Sequence, residues 1–243
     1  MQAVILAAGT GSRLAPLTDK LPKGLLEVGG TPLLGHSLNC LERAGVNEII
    51  LIIGHRGDLI RAAFGERHNG VAIRYAENPD YGATGSMVSL LAARPLVRPE
   101  PFLVLESDLL YHPDFITIAR RLPGPSLLAA DISGSGDEVY LHADADGRLC
   151  YLGKTRNERS MGDCVGEFAG ISQLTPGFYD LFCDLAHQSS DHSRHYEELL
   201  FDLAKAGETL KVRPCPGLAW TEVDNVADLE RAQTRVWPRI MRS

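Results

Sequence analysis

Basic residues are scarce in this sequence of 243 residues, where 24 Lys and Arg stand against 31 Asp and Glu. The resulting formal net charge of −7 excludes a general nucleic-acid binder, which would carry a basic surface stripe. An anionic ligand would therefore need a local basic pocket. Hydrophobic residues make up 44% of the chain and charged residues 23%, which is ordinary for a globular enzyme with a sizeable core.

Long apolar runs and closely spaced cysteines are also missing. No uninterrupted apolar stretch is long enough to span a bilayer, and the apolar start at residues 3–8 lacks the basic segment of a signal peptide. The five cysteines show no Cys-x-x-Cys spacing, which argues against the common zinc and redox sites. We therefore expect a cytoplasmic protein with reduced thiols, which binds neither membranes nor nucleic acid.

Strand and helix patterns alternate along the first half of the sequence. Continuous apolar or β-branched runs predict strands over residues 2–6, 48–53, 71–76, 102–106 and 127–131. Helical spacing of apolar residues predicts helices over residues 32–44, 58–67, 85–93 and 113–122. This alternation predicts an α/β, Rossmann-like fold with a mostly parallel (mixed) sheet flanked by helices.

The second half of the sequence is more mixed. Asp146-Gly147 predicts a hairpin between strands over residues 138–143 and 148–152, and Thr175 is expected to cap a helix over residues 176–185. The remaining predicted elements are strands over residues 165–172, 209–213 and 219–223 and helices over residues 195–206 and 226–236. We expect this half to form a small mixed α/β substrate lobe.

A glycine-rich turn follows the first predicted strand. Residues 6–14 read Leu-Ala-Ala-Gly-Thr-Gly-Ser-Arg-Leu, and the small residues let the backbone approach a ligand closely. Consecutive N–H groups in such a turn bind anions, Arg13 adds a fork for phosphate oxygens, and Lys23 adds a point charge. The turn lacks the Gly-Lys-Ser/Thr of a Walker A loop, and Leu14 takes the place of the last glycine of the dinucleotide fingerprint.

This turn, a Pro-Leu-Thr at residues 16–18 and a Pro-Lys at residues 22–23 together resemble the signature of the nucleotidyltransferase superfamily, whose members have a GT-A-like fold. The resemblance implies one nucleotidyltransferase domain over residues 1–243. Its nucleotide-binding half would extend to about residue 131, and its substrate and metal half would begin at about residue 132. The implied nucleotide-binding residues are Leu6, Ala7, Ala8, Gly9, Thr10, Gly11, Ser12, Arg13, Lys23, Thr84, Gly85, Ser86, Glu106 and Ser107.

Two strand-end aspartates, Asp108 and Asp224, match the metal-binding positions of that superfamily, which implies Mg²⁺ as a cofactor. Mg²⁺ prefers hard oxygen ligands and usually takes one or two carboxylates together with phosphate oxygens. The resemblance also assigns catalytic roles to Asp108, Arg13 and Lys23, the latter two on the triphosphate. Taken alone, the two aspartates could instead start turns or cap helices, because Asp224 directly precedes a predicted helix.

Residues 81–90 read Tyr-Gly-Ala-Thr-Gly-Ser-Met-Val-Ser-Leu and are similar to a region of the cytidylyltransferases that act on phosphocholine or 2-aminoethylphosphonate. Further similarities to the 2-aminoethylphosphonate enzymes lie at residues 105–111, 136–140, 166–171 and 220–224. This branch implies transfer of CMP from CTP to 2-aminoethylphosphonate with release of pyrophosphate, and the last stretch contributes Trp220 as a substrate contact. Thr84, Gly85 and Ser86 would border the base or ribose, although Ser86 could instead cap a helix.

A substrate with a cationic amine and an anionic phosphonate needs two unlike subsites. Lys154 and Arg156 follow a predicted strand and could meet the phosphonate, with Lys154 also neutralising the attacking oxyanion. Glu138, Glu167 and the ring of Tyr140 could meet the ammonium, the ring by cation–π attraction. Lys154 and Arg156 could equally lie in a solvated loop, and Glu138 on an exposed strand face.

Several other functions fit the same motifs. A phosphocholine cytidylyltransferase would use a phosphomonoester in place of the phosphonate, and a sugar-1-phosphate nucleotidyltransferase would use a hexose phosphate. A catalytically silent nucleotide-binding regulator could share the scaffold, although the presence of both aspartates and both basic residues argues against it. The sequence leaves a homodimer open.

Overall fold

The computed structural model describes residues 1–156 and 162–242 and shows an α/β fold. The strands are β1 (Gln2–Ala7), β2 (Glu27–Val28), β3 (Thr31–Pro32), β4 (Glu48–Ile53), β5 (Arg67–His68), β6 (Val71–Glu77), β7 (Phe102–Glu106), β8 (Leu109–Tyr111), β9 (Ser126–Ala130), β10 (Tyr140–Ala143), β11 (Leu149–Gly153), β12 (Asp163–Leu174), β13 (Lys211–Pro214) and β14 (Trp220–Glu222). The α-helices are α1 (Leu33–Arg43), α2 (Gly57–Phe64), α3 (Ser86–Ala92), α4 (Asp114–Ala119), α5 (Pro176–Gln188), α6 (Tyr196–Lys205), α7 (Val226–Arg231) and α8 (Trp237–Ile240).

The main sheet has the strand order β11-β10-β12-β7-β1-β4-β6-β5, and β9 pairs with both β12 and β13. The strands β7, β1, β4 and β6 are parallel, whereas β12 runs antiparallel to β7 and β5 antiparallel to β6. The predicted α/β class with a mostly parallel, mixed sheet is confirmed. Because the loops after parallel strands emerge at one edge, the segments after β1 and β7 meet there.

Helices cover both faces of the sheet, as the continuous apolar strands require. Successive side chains of β1 point to opposite faces, so that Ile5 packs into one core with α1, α2 and α4, and Val4 into another with α3, α5 and α6. A third, smaller cluster packs Leu14 of the glycine-rich turn against Val223 and Val236 of the C-terminal segment. The described part of the chain contains no helix long and apolar enough to cross a membrane.

The long strand β12 bends so that it can pair with β7 at one end and with β10 at the other. Gly166 (φ 148°) and Gly170 (φ 68°) lie at this bend, in backbone conformations that favour glycine. A Cβ atom on Gly170 would lie 2.9 Å from Glu106 Oε2, so the missing side chain lets β12 pass close to the acidic end of β7.

Several predicted helices end at other residues in the structure: the helix predicted over residues 113–122 ends at Ala119, and the one predicted over residues 176–185 extends to Gln188. The helix predicted over residues 58–67 stops at Phe64, because Gly65 is left-handed (φ 59°) and the next residues pair as β5 with β6. The helix predicted over residues 226–236 is α-helical only to Arg231 and continues as a π-helical turn over Ala232–Val236. The hairpin predicted at Asp146-Gly147 is confirmed by the antiparallel pairing of β10 with β11.

Candidate active site

A cleft of about 340 Å³ lies at the carboxyl ends of β1 and β7, and we call it the glycine-loop cleft. All the nucleotide-binding residues that the sequence predicts belong to its lining, as do Asp108 and Asp224. The structure therefore brings together residues from five separate stretches of the sequence. Tyr81, Ser89, His195 and Glu222 also line the cleft and were not predicted.

The conformation of the glycine-rich turn depends on Gly11. This residue is left-handed (φ 63°, ψ 31°) and begins the 3₁₀ turn Ser12–Leu14. A Cβ atom on Gly11 would lie 3.2 Å from both Lys23 Cβ and Thr18 Cγ2, so the glycine lets the turn pack against the segment that carries Lys23. The Thr18 hydroxyl fixes the contact by donating to the Gly11 carbonyl oxygen at 2.8 Å.

Lys23 lies between the two predicted metal-binding aspartates. Its Nζ atom is 2.5 Å from Asp108 Oδ2 and 2.5 Å from Asp224 Oδ1, and Arg13 Nη2 is 2.9 Å from the same Asp224 oxygen. Burial by itself lowers the pKa of Lys23, but the two carboxylates outweigh it and raise the pKa above its usual value. Burial opposes ionisation of Asp224, yet Lys23 and Arg13 together lower its pKa.

Asp224 does not cap the helix that follows it. The N-cap of α7 is Asn225, whose side chain accepts a hydrogen bond from the Asp228 backbone N–H at 3.1 Å. The Asp224 carboxylate faces Lys23 and Arg13 instead. The helix-cap interpretation of Asp224 is therefore wrong.

A cluster of three carboxylates borders Lys23. One oxygen each of Glu106, Asp108 and Glu222 lies within 4.8 Å of the others. Burial, followed by repulsion from Asp108 and Asp224, raises the pKa of Glu222 to about 9. Burial and then repulsion from Glu222 also raise the pKa of Glu106 well above its usual value. These shifts indicate that the neighbouring cations do not neutralise the cluster when all three of its carboxylates are ionised.

Glu222 reaches this cluster through the short strand β8, which sequence analysis missed. β14 pairs antiparallel with β8 so that Glu222 lies opposite Leu109, and the Val223 N–H donates to the Asp108 carbonyl at 3.0 Å. A signal was present in the sequence, because Glu222 and Asp224 are two residues apart and share one side of an extended segment.

The donor set fits a divalent cation. Asp108 Oδ1 is buried and has no hydrogen-bond partner within residues 1–156 and 162–242. Such an orphaned acceptor is costly unless a ligand or ion satisfies it. Carboxylate oxygens are the ligands that Mg²⁺ prefers, and the Lys23 ammonium already occupies a cationic position between Asp108 and Asp224.

A second cleft of about 650 Å³ lies beside the first, and the β10–β11 hairpin forms one of its walls. We call it the hairpin cleft. Arg13, Glu106, His195, Glu222 and Asp224 line both clefts, so the two spaces meet at the carboxylate cluster. Two ligands bound in the two clefts would therefore contact each other beside Asp224.

Asp137 connects the walls of the hairpin cleft, and sequence analysis did not single it out. Its carboxylate accepts from Arg13 Nη1 at 2.6 Å and from Lys154 Nζ at 2.7 Å, and its carbonyl oxygen accepts from Lys154 Nζ at 2.6 Å. Lys154 and then Arg13 lower the pKa of Asp137 by these hydrogen bonds. An incoming anion would compete with this carboxylate for both cations.

The predicted substrate-binding residues divide into two groups. Lys154 and Glu167 line the hairpin cleft. Glu138, Tyr140, Arg156 and Trp220 lie outside the described lining of both clefts. Trp220 is buried in the core, where its indole N–H donates to the Ala169 carbonyl at 3.0 Å.

The Ser86 hydroxyl joins the two halves of the chain. The N-cap of α3 is Gly85, so the expectation that Ser86 caps this helix is wrong. The Ser86 hydroxyl oxygen instead accepts from the Tyr196 N–H at 3.0 Å and lies 3.3 Å from His195 Nδ1. Thr175 does occupy the N-cap of α5, but its side chain makes no capping hydrogen bond.

Residues 2–123 match the family model described as nucleotidyl transferase, and the chain belongs to this family. The resemblance to the nucleotidyltransferase superfamily, drawn from the glycine-rich turn and the Pro-Lys that follows it, is thereby confirmed. The family assignment agrees with a glycine turn, basic side chains and carboxylates that share one cleft.

Three relatives show what the chain is similar to. The CMP-5'-(3-aminopropyl)phosphonate synthase of Streptomyces rubellomurinus is 31% identical over 255 residues, which cover 98% of this chain but only 39% of that protein. The N-acetylmuramate alpha-1-phosphate uridylyltransferase of Neisseria meningitidis is 42% identical over 182 residues, which cover 74% of this chain and 78% of that protein. The 2-aminoethylphosphonate cytidylyltransferase of Lancefieldella rimae is 26% identical over 231 residues, covering 93% of this chain and 89% of that protein.

Two solved structures share the fold. The inositol-1-phosphate CTP transferase from T. maritima superposes with a TM-score of 0.81 at 22% identity, over 99% of this chain and 94% of that one. The CTP:phosphocholine cytidylyltransferase from Streptococcus pneumoniae superposes with a TM-score of 0.74 at 22% identity, over 96% of this chain and 97% of that one.

Proposed function

We propose that this nucleotidyltransferase transfers CMP from CTP to a small phosphonate, 2-aminoethylphosphonate, and releases pyrophosphate. The observation that carries the proposal is the position of Lys23 between Asp108 and Asp224, where the two clefts meet. Similarity to a CMP-phosphonate synthase along 98% of the chain and to a 2-aminoethylphosphonate cytidylyltransferase along 93% supports this choice of nucleotide and acceptor.

In this proposal the glycine-loop cleft binds CTP. The backbone N–H groups of residues 9–13 bind phosphate oxygens, Arg13 adds a bidentate fork, and Lys23 contributes a point charge. Thr84 and Gly85 border the base or ribose, because both line the same cleft beyond the turn. Arg13 and Lys23 already contact carboxylates. When CTP binds, each of these side chains therefore exchanges a carboxylate partner for a phosphate oxygen.

We propose Mg²⁺ as the cofactor, held by Asp108 and Asp224 with Glu222 nearby. When bound, the ion would offset the repulsion between two polyanions and stabilise charge on the α-phosphate. The residues of the chain perform the remaining work, which is to position the two substrates and exclude water from the contact between them.

The hairpin cleft binds the acceptor. One phosphonate oxygen of the acceptor attacks the α-phosphorus of CTP, a new P–O–P bond forms, and the bond to the bridging oxygen of the β-phosphate breaks. Pyrophosphate carries away that oxygen and its electron pair. Lys154 and Arg13 approach the attacking oxyanion from opposite walls after they exchange Asp137 for the phosphonate.

A pyrophosphate-release screen tests the proposal. Four nucleoside triphosphates are combined with phosphonates, phosphocholine and sugar phosphates in the presence of Mg²⁺. We expect the largest kcat/KM for CTP with 2-aminoethylphosphonate. A larger value for another nucleotide or acceptor class would reject that assignment.

A sugar-1-phosphate uridylyltransferase is the second candidate. It is favoured by 42% identity over 182 residues to a relative that acts on N-acetylmuramate 1-phosphate. In the same screen, this alternative predicts pyrophosphate release from UTP with a sugar phosphate and none from CTP with 2-aminoethylphosphonate.

A further inference from the structure

The two glutamates that sequence analysis proposed for the acceptor's ammonium are engaged elsewhere. Glu167 accepts hydrogen bonds from the Ser133 N–H at 2.7 Å and the Ser133 hydroxyl at 3.2 Å. Glu138 accepts from the Gly136 N–H at 3.3 Å. Both carboxylates thus already accept hydrogen bonds from the loop that carries Asp137.

Most of the other charges around the hairpin cleft are paired with each other. Arg194 Nη2 lies 2.6 Å from Asp202, and Lys205 Nζ lies 2.7 Å from the same carboxylate. Arg13 and Lys154 are both held by Asp137. These pairs leave the basic residues of the cleft neutralised.

Glu197 is different. It lies in the first turn of α6, lines the hairpin cleft, and is only 8% exposed. Its Oε2 atom is buried and makes no hydrogen bond to any described residue. Burial raises the pKa of Glu197, because the carboxylate has lost water without gaining a full set of donors.

The rest of the cleft fits an aliphatic amine. Phe168 and Leu152 supply apolar surface to the same cleft as Glu197. The centroid of the Phe201 ring lies 4.9 Å from the Lys205 ammonium, so this ring already contacts a cation. A short carbon chain can extend along these side chains from the carboxylate cluster, where the phosphonate would react. Its ammonium would then supply the donor that Glu197 lacks.

The geometry points to Glu197 as the residue that binds the cationic amine of the acceptor. This inference rests on the proposed function and deepens it. It makes the acceptor class a phosphonate or phosphate ester with an amine at its far end. Glu197 touches the non-reacting end of the substrate, so it determines specificity and is not a catalytic residue.

The test compares two acceptors that differ only at that end. 2-Aminoethylphosphonate carries an ammonium where n-propylphosphonate carries a methyl group of similar size. The wild type and the Glu197→Gln variant are assayed by pyrophosphate release with saturating CTP and Mg²⁺. Glu208→Gln is the matched control, because it makes the same substitution at an exposed residue shortly after α6 that lines neither cleft.

We expect Glu197→Gln to raise the KM for 2-aminoethylphosphonate by about 10- to 100-fold, the loss expected for a charged hydrogen bond. The KM for CTP and the KM for n-propylphosphonate should stay unchanged, and Glu208→Gln should behave as the wild type. If n-propylphosphonate turns over too slowly, its inhibition constant against 2-aminoethylphosphonate is measured instead. If the Gln variant does not fold, Glu197→Asp replaces it, and the shortened carboxylate should weaken the amine substrate alone.

Other results would overturn the inference. An unchanged KM for 2-aminoethylphosphonate in the variant would remove Glu197 from recognition, and an equal loss for both acceptors would show a structural role. A wild type that uses both acceptors equally well would reject the amine subsite while leaving the transferase function intact. A wild type that releases no pyrophosphate with any acceptor would reject the proposed function, and the inference with it.

Discussion

The contact of Lys23 with Asp108 and Asp224 joins residues that lie 85 and 201 positions apart in the sequence. Three charges at such short range are stable only as a group, because each of them is partly buried. Removing one carboxylate leaves Lys23 with a single carboxylate partner and changes the net charge of the group from −1 to zero. The net charge of Lys23, Asp108 and Asp224 therefore determines the electrostatic environment in which a triphosphate and a metal ion would bind.

Asp108→Asn should nearly abolish turnover while the fold is retained. The amide keeps the size of the side chain but removes the charge that would hold the cation. We expect kcat/KM to fall by more than the roughly 10- to 100-fold that loss of a supporting residue around a metal costs. Pyrophosphate release measures the loss, circular dichroism checks the fold, and Asp180→Asn on the exposed face of α5 is the control. Near-normal activity of Asp108→Asn would contradict the assignment.

Glu222 should make stability depend on pH. Its pKa is about 9 in the folded state, far above that of an ordinary Glu, so the folded protein holds a proton that the unfolded chain has lost. Wild-type stability should therefore fall as the pH rises from about 5 to about 9. Glu222→Gln should remove this part of the slope and gain at least about 1.4 kcal/mol relative to the wild type at pH 9. Urea unfolding with a chelator present measures both, and parallel pH profiles would contradict the raised pKa.

At the scale of single elements, the bend of β12 lets Glu106 approach the other acids of the site. Gly170 occupies this bend with φ 68° and lies against Glu106 and Leu109. The position thus needs both a left-handed backbone and the absence of a side chain.

Gly170→Ala should lower stability and activity together. The left-handed backbone alone costs about 1–2 kcal/mol with a Cβ atom, and the contact with Glu106 Oε2 at 2.9 Å adds to it. Gly217→Ala is the matched control, because Gly217 also has a positive φ (76°) but no atom within 4 Å of its added Cβ. We expect a larger drop in melting temperature for Gly170→Ala and lost turnover for that variant only. Equal effects of the two substitutions would show that packing at the bend does not matter.

Much of this architecture could be predicted from sequence, because the elements β1, β4, β7 and α1 have long, strongly patterned sequences. The strand β14 was predicted within residues 219–223, but the short strand β8 was missed, since three residues carry little periodicity and its pairing with β14 is a tertiary contact. That pairing positions Glu222, which explains why only Asp224 was expected at the site. Asp137 was missed for a related reason, because its partners Arg13 and Lys154 lie in distant parts of the chain.

At the scale of the whole molecule, the loop before α6 packs against the start of α3 and so connects the two halves of the chain next to both clefts. The Gly85 N–H donates to the His192 carbonyl at 2.7 Å, and a Cβ atom on Gly85 would clash with the Arg194 carbonyl oxygen. Ligands that touch both halves should therefore stabilise the whole fold.

CTP together with Mg²⁺ should raise the melting temperature more than either does alone. A ligand that binds only the folded state at 100 times its Kd stabilises it by about 2.7 kcal/mol. Differential scanning fluorimetry with and without a chelator measures the shift. An equal shift from CTP in the presence of chelator would argue against a metal-dependent site.

The central claim is that a reaction at the carboxylate cluster links the α-phosphorus of CTP to the phosphorus of the phosphonate. Phosphorus NMR of the reaction mixture tests this claim most directly. With CTP, 2-aminoethylphosphonate and Mg²⁺, we expect a product in which the α-phosphorus of CMP and the phosphonate phosphorus are coupled through one oxygen, together with an equal amount of pyrophosphate. The product should be absent with Asp108→Asn. Hydrolysis of CTP with an unchanged phosphonate resonance, or full product formation by Asp108→Asn, would contradict the account.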